Sequence, residues 1–157
     1  IHWDIALDSL RSGYNVGAVI RICDAFGFRK IVAGGYSPAK NNSSVKSAAM
    51  GSENWVPQHH VQNLLSYLKR RLRSGTCQLT ALELTRDSQS IESIKIEKTG
   101  ILVLGNEERG VSSEILDICS RKIHIPMYGR KNSLNVSTAF SIAAHTIRSS
   151  INAQTHL

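Results

Sequence analysis

No apolar run in this sequence approaches the roughly 18 residues that would cross a bilayer, so no transmembrane helix is expected. Nothing at its start has the charged-then-apolar pattern of a secretory signal, which predicts a cytoplasmic location. Cysteine is scarce and unpaired. Cys23, Cys77 and Cys119 are an odd number, far apart, and read as reduced, mostly buried thiols rather than disulfides or metal ligands. The fingerprint G-x-G-x-x-G follows none of the candidate strands, P-loop spacing is missing, and no serine sits in a G-x-S-x-G elbow. Rossmann-type dehydrogenases and methyltransferases, P-loop enzymes and serine hydrolases therefore lack support. Acidic residues are also in deficit: 12 Asp and Glu against 19 Lys and Arg leave a formal charge of +7. That balance favours a polyanionic partner, nucleic acid first, through long-range attraction and counterion release.

What the chain does have is an alternation of short apolar runs and helical periods. No internal repeat, low-complexity tract or linker interrupts it, which predicts one domain over residues 1–157. Residues 5–8 read as a first strand and 29–35 as a second. Between them, 15–26 has helical spacing through Val16, Val19, Ile20, Cys23 and Phe26, with Gly27 as its stop. This βαβ unit predicts a parallel sheet. A small-residue helix over 45–50 and an edge strand over 55–60, marked by Pro57, come next. Asn63 then opens an amphipathic helix with Leu64, Leu65, Leu68 and Leu72 on one face. Its other face carries Lys69, Arg70, Arg71 and Arg73, a solvated cationic end that suits the helix dipole. Further strands are expected at 78–84, 100–105 and 123–125, and helices from Ser112 to about 120 and over about 136–151. The stretch 85–97 reads as a polar loop with one short helix at 90–94. The run 100–105 is nearly all apolar and so central. The expected class is α/β, an open parallel sheet with helices on both faces.

Three stretches carry candidate chemistry: N-V-G-A-V-I-R over 15–21, I-L-V-L-G-N-E-E-R-G-V-S over 101–112, and I-P-M-Y-G-R-K-N-S-L-N-V-S-T-A over 125–139. Taken singly, each has an ordinary explanation. The third is a strand end, a tight loop and a helix capped by Ser133 or Asn135. Such a helix start also suits a polar ligand. Glu107 alone is a loop glutamate, and Arg21 alone a solvated helix arginine. Together and in this order, the three resemble the signature motifs of the SpoU-like (TrmH) RNA 2′-O-ribose methyltransferases of the SPOUT class. The resemblance covers nearly the whole chain.

The resemblance implies a C-terminal trefoil knot over about residues 102–151, whose loops wrap S-adenosylmethionine. Leu104, Gly105, Ile125, Met127, Leu134 and Asn135 would be the cofactor-binding residues. Arg21, Asn15, Glu107, Ser133 and Asn135 would be the catalytic ones. It also implies an RNA partner, tRNA or rRNA, and a homodimer that brings Arg21 of one subunit toward the cofactor of the other. Physical chemistry is consistent with each assignment. Loops at the carboxyl ends of strands are where open α/β sheets bind ligands, and Leu104, Ile125 and Leu134 offer apolar walls to an adenine ring. Gly105 and Gly129 suit tight turns or close backbone approach. Asn135 both donates and accepts, so it can orient a ribose hydroxyl or tether its loop. A ribose hydroxyl is a poor nucleophile, and a guanidinium keeps its proton. Arg21 is therefore better described as stabilising alkoxide character and anchoring phosphate than as a base. Alternatives are a SPOUT-type base methyltransferase and a catalytically silent RNA-binding module. Asn15, Arg21 and the Ser133-Leu134-Asn135 run favour the ribose branch, and intact Arg21, Glu107 and Asn135 speak against silence.

Overall fold

Strands buried on both faces need helices above and below, and the chain supplies them in alternation. The computed structural model describes residues 1–75 and 78–155. In order they form β1 (His2–Asp8), α1 (Gly13–Phe26), β2 (Lys30–Gly34), α2 (Ser43–Ala49), β3 (Gln58–Val61), α3 (Leu64–Arg73), β4 (Gln78–Leu82), β5 (Gln89–Ser90), β6 (Thr99–Leu104), α4 (Ser113–Ile118), β7 (Arg121–His124) and α5 (Val136–Thr155). The strands make one sheet in the order β3-β2-β1-β6-β4-β7-β5, every neighbouring pair parallel. β6 is central, as its apolar run predicts, and Gly100 to Leu104 are all buried.

Side chains alternate between two cores. On one face Ile5, Leu7, Leu102 and Leu104 meet Val16 and Ile20 of α1 and Phe140, Ala144 and Ile147 of α5. On the other, Ala6, Val32, Leu79, Ile101 and Val103 meet Leu64 and Leu68 of α3 and Ile115 of α4. Each fully buried Leu, Ile or Phe contributes roughly 1.5–3 kcal/mol, so these two layers dominate stability.

Several boundaries differ from the sequence reading. β1 starts at His2 and takes in Trp3, whose indole N–H donates to the Glu97 carbonyl at 2.9 Å. α1 starts at Gly13, because the Ser12 hydroxyl caps it by accepting from the Asn15 N–H at 3.3 Å. α2 starts at Ser43 under an Asn42 cap and ends at Ala49, with Met50 as its C-cap at a φ of 51°. A 3-10 turn at Ser52–Asn54 delays β3 to Gln58, at the sheet edge. The helix expected at 90–94 is absent. Residues 89–90 pair with β7 instead, the Ile91 N–H donates to the His124 carbonyl at 2.9 Å, and Ile91 and Ile96 are buried. β7 ends at His124, which leaves Ile125 in the loop beyond it. Asn63 caps α3 as expected, its side chain accepting from the Ser66 N–H at 2.8 Å. Cys23 is buried and Cys119 half-buried, both as free thiols; Cys77 lies outside the described residues.

Candidate active site at the carboxyl ends of the central strands

β4, β6 and β7 end side by side, and the loops that follow them enclose a cleft of about 530 Å³. Its walls are the ends of β4, β6 and β7, the loop 105–110, Met127, and the segment 132–136 with Ala139. Leu104, Gly105, Ile125, Met127, Leu134 and Asn135, the six expected cofactor residues, all line it, as do Glu107 and Ser133. The volume falls in the range of about 300–1,000 Å³ typical of cofactor-sized sites.

The loop after β6 is built by a tight reversal. Asn106 and Gly110 exchange both backbone hydrogen bonds at 2.9 Å. A Cβ on Gly105 would lie 2.3 Å from backbone atoms of Gly110 and Val111, so close approach requires glycine there. Gly110 takes a φ of +69°, and the Glu83 carboxylate beside it accepts from the Val111 N–H at 2.9 Å. Asn106 is buried with its amide fully used. Its Nδ2 donates to the Ser9 carbonyl at 2.7 Å and the Tyr36 hydroxyl at 3.0 Å, and its Oδ1 accepts from the N–H groups of Glu108 and Arg109. Gly129 differs from expectation: nothing crowds it and its φ is not left-handed, so neither a close approach nor strain requires glycine in that exposed loop.

The three motifs meet through one chain of hydrogen bonds. Glu107 accepts from the Arg11 N–H at 2.8 Å, the Ser12 N–H at 3.0 Å and Asn15 Nδ2 at 2.9 Å. Partial burial pushes its pKa up, but the donors from Arg11, Asn15 and Ser12 outweigh burial and hold it below the ordinary value. Asn135 Nδ2 in turn donates to Asn15 Oδ1 at 3.1 Å. Asn135 Oδ1 accepts from the N–H groups of Ser137 at 2.9 Å and Thr138 at 3.4 Å. Asn135, rather than Ser133, is therefore the cap of α5. Glu108 pairs with the Arg11 guanidinium at the surface, a contact of small energetic weight.

Arg21 is not part of this assembly. It lies on the exposed side of α1, its guanidinium against the Met50 sulfur at 2.8 Å, and does not line the cleft. Sequence reasoning missed four residues that shape the site: Arg11, Ser12, Glu83 and Asn106. A polar residue within two positions of the end of an apolar run, as at Glu83 after Leu82 and Asn106 after Leu104, was the available signal. Ser12 three residues before Asn15 fits a cap spacing as well.

A family model described as the SpoU rRNA Methylase family matches residues 3–145. The tRNA (guanosine(18)-2′-O)-methyltransferase of Aquifex aeolicus is 35% identical over 135 residues, which are 86% of this chain and 63% of that protein. The mitochondrial rRNA methyltransferase 1 of Dictyostelium discoideum is 34% identical over 155 residues, 93% of this chain and 28% of that one. Among solved structures, the AdoMet-bound rRNA methyltransferase from Sinorhizobium meliloti has a TM-score of 0.87 at 29% identity, covering 94% of this chain and 56% of its own. The A. aeolicus TrmH/SpoU tRNA modifying enzyme has a TM-score of 0.87 at 31% identity, with coverages of 98% and 77%. The chain thus spans less than two thirds of the length of these curated relatives.

Proposed function

We propose a reaction for this chain, which belongs to the SpoU rRNA Methylase family: transfer of a methyl group from S-adenosylmethionine to a ribose 2′-hydroxyl of tRNA or rRNA. The observation that carries it is the Glu107–Asn15–Asn135 bridge, which ties three distant loops together at a cofactor-sized cleft. The names of the Aquifex and Sinorhizobium relatives support the same chemistry and the same methyl donor.

The residues present fit the donor. Leu104, Ile125, Leu134 and Val136 give the cleft apolar surface for a flat base, and the backbone of Leu104, Gly105, Ile125, Met127 and Leu134, which line it, offers polar groups to its edges. Glu83 and Glu107 provide carboxylates on a wall that would face a cation. Bound there, S-adenosylmethionine supplies an electrophilic methyl group on a sulfonium. The protein's part is to hold the ribose oxygen in line and to stabilise the charge that develops as the hydroxyl proton passes to solvent water. Asn15 and Glu107 fix the loops around that point, and the Arg21 guanidinium provides the positive charge. Arg21 stands outside the cleft of its own protomer. We therefore read the working form as a cytoplasmic homodimer in which Arg21 completes the partner's site. The trefoil knot over about 102–151 belongs to the same reading, as does direct binding of RNA by a chain of charge +7.

Calorimetry on metal-free protein tests the donor: S-adenosylmethionine or its demethylated product binds. A folded protein that binds neither ends the proposal. Nucleoside mass spectrometry on RNA from a deletion strain then identifies the target, as the 2′-O-methylnucleoside that disappears.

A further inference from the structure

Tyr36 stands in the turn after β2 with 59% of its surface exposed, although everything that mounts it is fixed. Gly35 before it has a φ of +59°, and its N–H donates to the Val61 carbonyl at 3.1 Å. Ser37 after it is buried. The Ser37 hydroxyl donates to the Gly34 carbonyl at 2.8 Å and accepts from the Leu10 N–H at 3.0 Å. The phenol oxygen itself lies 3.0 Å from Asn106 Nδ2.

The direction of that last bond is determined. Asn106 Oδ1 already accepts two backbone N–H groups, and the other Nδ2 hydrogen goes to the Ser9 carbonyl. The amide cannot be flipped without losing all of these, so the phenol oxygen accepts. Its own proton then has no acceptor among the described residues. Ser9 holds its carbonyl in place from a φ of 56°, a costly conformation for a residue with a side chain, of the kind that gathers at functional sites. The result is a rigidly mounted, exposed ring with one free donor. Asn106, its tether, is the residue before Glu107.

We propose that Tyr36 is an RNA-positioning residue: its ring stacks under an unpaired base beside the target nucleotide, and its phenol proton is donated to the sugar–phosphate backbone. This rests on the RNA methyltransferase reading above. Aromatic rings bind unpaired bases of any identity, because every base has a π face. Charge complementarity comes from the net charge of +7 and from exposed cations on the adjoining stretches, Lys40 and Arg109.

The test compares wild type with Tyr36→Ala and Tyr36→Phe. RNA binding is read by anisotropy of a fluorescein-labelled single-stranded RNA dodecamer of mixed sequence, and S-adenosylmethionine binding by calorimetry. Tyr36→Ala is expected to weaken RNA binding at least about fivefold, the low end for one lost base stack. Tyr36→Phe keeps the ring and most of the affinity, and both variants bind S-adenosylmethionine as wild type does. A smaller loss in Tyr36→Ala overturns the proposal. So does a Tyr36→Phe defect as large as that of Ala, or a loss of S-adenosylmethionine binding in either, since the phenol would then only tether the Asn106 loop. If Tyr36→Ala melts early, Tyr36→Leu, apolar but not aromatic, takes its place with the same threshold. Failure of the underlying reading shows in the wild-type protein, as no RNA binding or no methylation, and sinks both. Failure of this inference alone shows only in the variants.

Discussion

Glu107 and Arg21 carry opposite charges and opposite degrees of constraint. Glu107 has a pKa raised by burial and lowered further by donors from Arg11, Asn15 and Ser12, for a net depression. A carboxyl with a lower pKa folded than unfolded adds stability above its unfolded pKa and loses it as pH falls through the folded one. Urea unfolding followed from about pH 7 down to pH 3 should therefore show a shallower acid-side loss in Glu107→Gln than in wild type. Equal slopes would mean that the three donors do not act on the ionised form. Arg21, on an exposed helix face, has no such web. Arg21→Ala should leave S-adenosylmethionine affinity within about twofold but lower methylation at least about a hundredfold, the scale of one lost oxyanion-type contact. Activity within a few-fold of wild type would reduce Arg21 to a solvated helix arginine. Asn15, Glu107 and Asn135 were legible through their motifs. Their bonding to one another was not, because contacts across 92 and 120 residues leave no trace in local pattern. Asn106 was quoted within its motif and given no role, since a buried amide satisfied on all sides looks the same in sequence as any loop asparagine.

Among the elements, the long helices and the apolar strands were readable because burial imposes a period on them. β5 was not. Two polar residues, Gln89 and Ser90, form it, held by backbone pairing to β7 and by the burial of Ile91 and Ile96, and two residues cannot show a period. The start of α1 was missed for a similar reason: Ser12 and Gly13 look like loop until the Ser12 cap is seen. α5 offers a test that separates structure from chemistry. Asn135→Ala removes both the cap and the link to Asn15, at a cost of about 1 kcal/mol for the cap, or roughly 2–4 °C in Tm. Asn135→Ser keeps a capping oxygen but cannot reach Asn15 in the same way. Asn135→Ser should regain most of the Tm and little of the methylation. Recovery of both together would make Asn135 a cap and nothing more.

At the scale of the whole molecule, the chain ties Asn15 to Glu107 and Asn135 at its cleft and leaves Arg21 outside it. A shared site follows if two protomers exchange their arginines across a twofold axis. Arg21→Ala and Asn135→Ala, each inactive as a homodimer, should then restore activity when their subunits are mixed. A mixed dimer has one site with both defects and one with neither. Half the dimers are mixed at random exchange, so the ceiling is about a quarter of wild type. A dead mixture, with exchange verified by native mass spectrometry, would place Arg21 in its own protomer's site and leave the methyltransferase assignment standing.

The central position of β6 also sets a timetable for synthesis. β1 can pair with β2 once both have left the ribosome, but its other edge is taken in the finished sheet by β6, with Leu7 opposite Leu104. The separation is 104 − 7 = 97 residues. At about 5–20 residues per second, the nascent chain carries a bare apolar strand edge for roughly 5–20 s. The Glu107–Asn15–Asn135 bridge forms later still, when α5 has emerged. Until then the amino-terminal half can neither close its sheet nor assemble its site.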